Sequence, residues 1–393
     1  MKYLLVSGVA VLGLLAATPA PAATIVLNDL GGVGAGSDAY RGFSIAAEFW
    51  SRRLTNDVVI NLDVGFKQLD PGVLGQAGSN SAVAPIELIK GQLASGGNSK
   101  IDAIAGANLP ALKPGEYGWG ALDVTTSGPK LPTGEGVDTG VRVLDIDGSA
   151  NNSFLDANSA NLKALGFGGF GSTADGTIQF SNQYNFDFNA GDGISANSID
   201  FLSVAIHEIG HVLGFTSGVD IYDVLGAPDG PLADDPDLGL LNLNDYAVGS
   251  VMDLFRYSSD PSGAGLDWSV GADAFFSIDG KSAYQNGYFS TGAYNGDGWQ
   301  ASHWKDNIPG FPQLGMMDPT VAYGQMGRVT SLDLAVFDAI GWNIDYDVFN
   351  STRSFTTRDI YLAAVPEPST WALLIGGFFM TGAMVRRRRA AVA

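Results

Sequence analysis

Cysteine is absent from all 393 residues, which excludes disulfide staples, a cysteine nucleophile and thiolate metal ligands. Histidine is nearly absent as well. There are three, so any imidazole chemistry must fall on identifiable positions. Basic residues are few, 21 Lys and Arg against 41 Asp and Glu, and the net charge of -20 repels phosphate backbones. Nucleic acid is therefore not an expected partner. No internal repeat is visible, and no intact EF-hand loop either, since Asp145-Ile146-Asp147-Gly148 matches too few of its positions. Acidic loops still offer oxygen ligands suited to Ca2+, although solubility is reason enough for these acids.

What is plentiful is apolar and glycine content. A hydrophobic fraction of 46% fills the core of one large or two moderate domains, and 53 glycines predict many turns and long irregular connections.

Both ends of the chain read as addresses. Lys2, an apolar run from Tyr3 to Ala17 and then Thr18-Pro19-Ala20-Pro21-Ala22 form the charged start, apolar middle and small-residue exit of a secretory signal. Signal peptidase would cut after Ala22, so residues 1–22 leave the mature chain. At the far end Val365-Pro366-Glu367-Pro368-Ser369 precedes an apolar stretch from Trp371 to Val385, closed by Arg386 to Arg389. About fifteen residues make about 22 Å of helix, short of the roughly 30 Å hydrocarbon core, so the transmembrane helix is a marginal anchor. The arginines stay on the cytoplasmic side and everything upstream faces outward. Residues 365–393 resemble the PEP-CTERM sorting signal. The resemblance implies an exosortase-type processing protease, transient contact with the inner membrane, and delivery to the cell surface or surroundings of a Gram-negative bacterium.

Between the ends, apolar residues at helical spacing from Ala39 to Leu54 predict a helix, and the alternation from Asp57 to Lys67 predicts a strand. Ser81 to Leu93 reads as a second amphipathic helix. Gly140 to Ile146 and Thr177 to Phe180 read as strands, the latter followed by a loop from Asn185 to Ser195. Val348 to Ala364 reads as a last strand and spacer. Together these predict an α+β fold on a twisted mixed sheet, with one domain over 23–347.

The most informative stretch runs from Ile199 to Gly214 and contains His207-Glu208-Ile209-Gly210-His211. Its apolar positions suit a helix with one buried face, and Ser198 is a good N-cap. Histidines four apart project from one face, where both imidazoles reach one Zn2+ at about 2.0 to 2.1 Å. Glu208 then lies beside the water that the metal activates, placed to act as general base. Gly214 can take positive φ and end the helix. A third ligand is still needed. His303, in Ala301-Ser302-His303-Trp304, is the remaining histidine. Asp220 or Asp223 offers another arrangement, with Met252 as the nearby methionine, but it leaves His303 without a role.

The order HExxHxxGF, a long insertion, histidine followed by tryptophan, Met317 two residues before Pro319, and a helix ending in Gly341-Trp342 resembles the leishmanolysin-like metzincins. The short form of that motif would place a ligand at 217, where this chain has Ser217. The resemblance implies a zinc metalloendopeptidase acting on polypeptide substrates. It implies His207, His211 and His303 as zinc ligands, residues 216–302 as the insertion before the third, Glu208 as base and Met317 (or its neighbour Met316) as the Met-turn residue. Tyr323 is a candidate oxyanion donor, Asp338 is either a helper of the site or an exposed helical acid, and Thr177 to Phe180 is the candidate edge strand for substrate. The contrasting reading is a cell-surface structural or adhesion protein whose zinc site only stabilises the fold. On the first reading, His303→Ala removes metal and activity while Asp220→Ala and Asp223→Ala leave both intact.

Overall fold

A computed structural model describes residues 22–365, apart from 229, 233, 234, 236, 237, 261, 262, 264 and 307–312. The signal segment up to residue 21 and the tail from residue 366 lie outside it. No helix among the described residues is long and apolar enough to cross a membrane.

The fold begins with a parallel pair, β1 (Thr24–Gly31) and β2 (Val59–Lys67), joined across helix α1 (Asp38–Arg53). Ser37 caps α1 by accepting the Tyr40 N–H, and Arg52 and Arg53 sit where the helix dipole favours cations. Its inward face, including Ala39, Phe43, Ala46 and Trp50, follows the predicted spacing and is buried. Replacing Phe43 or Trp50 by alanine would cost about 3 to 5 kcal/mol in such a core.

The sheet is mixed. The strand Gly176–Ser181 lies parallel to β2, and the short strand β3 (Gly75–Ser79) pairs antiparallel with it, giving the order β1, β2, 176–181, β3. The α+β expectation therefore holds. Thr177 to Phe180 is nevertheless an interior strand, and the sheet's two edges are β1 and, next to this strand, β3. Its sequence, Gly-Gln-Ala-Gly-Ser, lacks the β-branched and aromatic residues that mark strands.

Other boundaries also move. Ser81 to Pro85 is a strand, β4, paired with Phe154–Asn158, and helix α2 (Ile86–Gly96) starts only after Pro85. Proline disfavours helical backbone in the residue before it, which divides the amphipathic pattern. The last segment holds a strand, Ser354–Thr356, and a helix, Thr357–Ala364, opened by a Thr356 and Asp359 capping box rather than by a spacer.

The helix Phe201–Val212 packs under the sheet against α1, and the Trp50 indole donates to the Ile206 carbonyl at 3.1 Å. Its N-cap is Asp200, which accepts the N–H groups of Leu202 and Ser203, while the Ser198 hydroxyl accepts from Asn185 instead. The 216–302 region is built from short pieces, among them the helix Val219–Leu225 and the strand Asp267–Trp268, which pairs with Val124–Gly128.

Candidate metal centre

Helix spacing alone brings His207 and His211 together, with ring centroids 4.6 Å apart. The helix then stops in a Schellman motif. Phe215 N–H donates to Gly210 O at 3.1 Å and Gly214 N–H to His211 O at 3.1 Å. Gly214 supplies the positive φ of 117° that this turn requires. As a result the Phe215 carbonyl folds back onto the helix and lies 2.8 Å from His211 Nδ1.

His303 arrives 92 residues after His211 and completes a triangle of Nε2 atoms. The edges are 3.0 Å for His207 to His211, and 3.2 Å from His303 to each of the others. Three nitrogens at 2.0 to 2.1 Å from one tetrahedral ion would stand about 3.3 Å apart. The donor set therefore fits a metal ion, and these three residues form the one group of potential ligands of this kind among the described residues.

The opposite ring nitrogens are all engaged. His207 Nδ1 lies 2.8 Å from Met316 O, His211 Nδ1 2.8 Å from Phe215 O and His303 Nδ1 3.2 Å from Gln300 O. Each Nδ1–H donates to a carbonyl, so each Nε2 keeps its lone pair for the centre. Burial depresses proton affinity, outweighing these carbonyl bonds, which raise it. It pushes His211 down to about 3, with His207 adding to the effect, and lowers His207 and His303 as well. Burial has the opposite effect on the neighbouring Glu208 carboxyl, raising it to about 8 in the absence of a positive ion.

The triangle and Glu208 line a cleft of about 860 Å³, together with Leu74, Gln76 and Ala77 of the edge region and Tyr294 and Trp299 of the 216–302 region. Beneath the helix Met317 is fully buried against Gly210. Met316 serves differently, through the carbonyl that holds His207. The Met316 and Met317 N–H groups and the Trp304 indole N–H all donate to Asp333, which also closes the capping box of the helix Ser331–Ala339.

The other expected residues stand elsewhere. Tyr323 is 55% exposed and does not line the cleft. Asp338 is fully buried rather than an exposed helical acid, and it lies beside Asp102 instead of the histidines. Asp220 and Asp223 are not in the ligand group; their carboxylates accept hydrogen bonds from the segment that leads to His303. Burial raises Asp220 to about 6, against the hydrogen bonds that lower it. Met252 is buried in the short 3₁₀ helix Met252–Phe255, next to Asp253, which accepts from Ser217 and Gly218. Sequence reading misses Asp333, Asp253 and β3. The carboxylates look like ordinary helix and loop acids because their partners are remote in the chain.

Comparison with protein-family models, curated proteins and solved structures gives no match to this chain.

Proposed function

We propose that the chain is an exported zinc endopeptidase of the metzincin type, with His207, His211 and His303 as ligands and Glu208 as general base. The observation that carries this reading is the Nε2 triangle, oriented from behind by three carbonyls and set in a cleft beside a buried glutamate. Three protein ligands leave a coordination position open, which suits catalysis better than a purely structural site.

Zinc, when bound, polarises a carbonyl and lowers the pKa of water. Glu208 takes the proton of the attacking water and hands it to the leaving amine, a role its place beside the two helical histidines allows. The edge strand β3 has one side unpaired among the described strands, so an extended substrate backbone can add to it. Met317 supports the helix from below, and Met316 fixes the tautomer of His207.

The test is casein hydrolysis by the purified protein with and without a chelator, together with metal content. Glu208→Gln is expected to retain metal and lose hydrolysis, while His303→Ala loses both. Glu208→Gln activity within about tenfold of the parent would sink the mechanism.

A further inference from the structure

The two aspartates that first look like rival ligands hold opposite ends of one loop. Both lie on the helix Val219–Leu225, three residues apart. Asp223 accepts the N–H groups of Tyr294 and Asn295, each at 2.8 Å, and the Asn295 side-chain amide. Asp220 accepts Ala301 N–H at 2.6 Å on one oxygen, and both Ser302 N–H and the Ser302 hydroxyl on the other. With each oxygen already accepting a donor, Asp220 faces the backbone immediately before His303 rather than the metal.

Ser217 closes the circuit from the helix side. Its N–H donates to the Ser302 hydroxyl oxygen at 2.8 Å, and its own hydroxyl donates to Asp253 at 2.6 Å. The same Asp253 accepts Gly218 N–H and Ser250 N–H. Beneath, buried Arg256 donates to the carbonyls of Ser290 and Ala301, and Ser290 N–H donates to His303 O. The segment carrying His303 is thus fixed to the exit of the helix carrying His207 and His211.

We infer that Asp220 is a positioning residue for the third ligand, acting through Ala301 and Ser302, with Ser217 anchoring the same Ser302 hydroxyl from the other side. This rests on the reading of His303 as a metal ligand. It also reverses the expectation that replacing Asp220 leaves the metal site intact. Outer partners that orient metal ligands change affinity by about 10 to 100-fold when removed.

The experiment titrates the full-length metal-free protein with Co2+ and with Zn2+, reading affinity by chelator competition and coordination by the visible Co2+ spectrum. Asp220→Ala is expected to weaken both metals by about 10 to 100-fold, yet to regain the parent spectrum at saturating Co2+ because all three imidazoles remain. Asp220→Asn, which keeps an oxygen for Ala301 N–H, should lose less. Ser302→Ala serves if the Asp220 variants do not fold, and it should also weaken binding. Parent affinity in folded Asp220→Ala or in Ser302→Ala would overturn the inference, as would a changed spectrum at saturation, which would make Asp220 a ligand. His303→Ala separates the two layers: parent-like binding there overturns the ligand assignment itself, whereas loss there with parent affinity in Asp220→Ala overturns only the positioning role.

Discussion

Gly210 and Met317 pack with no room between them: a Cβ built on Gly210 would stand 2.6 Å from Met317 Sδ and 3.1 Å from its Cε. Gly210 is in the interior of a helix, where alanine would ordinarily be preferred by about 0.5 to 1 kcal/mol. Here the close contact overrides that preference. Gly210→Ala is expected to be destabilising by about 1 to 3 kcal/mol, since Met317 is fully buried and its neighbours must move with it. Thermal melting of the metal-free protein checks this. A variant at least as stable as the parent would show that the methionine gives way freely.

Asp338 gives a pH dependence with a definite sign. Its side chain is fully buried and neither oxygen makes a hydrogen bond of normal geometry. Burial, then the charge of Asp102, push its carboxyl up to about 8, and Ser99 tempers the rise. The unfolded carboxyl titrates at about 4, so between about pH 4 and about pH 8 the folded state holds a proton that the unfolded state has released. Stability from this group is full below that window and is lost as pH rises through it. Asp338→Asn should therefore melt with the parent near about pH 4 and above it near about pH 8. The difference should reach a few kcal/mol, because each tenfold change in proton affinity between the two states is worth about 1.4 kcal/mol. Calorimetry at both pH values tests it, and a stability difference independent of pH would refute the titration.

Processing of the tail is the third expectation. The apolar stretch from Trp371 to Val385 is short for a permanent anchor, and it lies between the Pro366-Glu367-Pro368 motif and four arginines. Native exported protein should lack Arg386 to Arg389. Intact-mass measurement of protein recovered from the culture medium or cell surface decides the matter, and a mass that includes the arginines contradicts it.

The parts of the site legible in the sequence are those set by local spacing or by scarcity. His207, Glu208 and His211 are fixed by one turn of helix, and His303 stands out because the chain has so few histidines. Gly214 is legible for the same local reason, a helix end requiring positive φ. Alternation locates the strand 176–181 but says nothing about neighbours, so its interior place is hidden, and β3 leaves no signal at all. Asp333 is opaque because the groups it satisfies, Trp304 and Met316, lie 29 and 17 residues away. Asp220 and Asp223 mislead for the same cause. Their chemistry suggests ligands, while their geometry makes them anchors.

The separation of 92 residues between His211 and His303 also sets the order in which the centre comes into being. A chain leaving the ribosome, or threading through a membrane pore with its N-terminus ahead, presents the His207 and His211 helix long before the third imidazole. Asp220 and Asp223 lie early in the intervening stretch, and the residues they hold, 294–302, lie at its end, so these contacts too wait for the later part of the chain. The three-imidazole group is therefore complete only once residue 303 has been made, and any shorter nascent chain carries two of its three nitrogens.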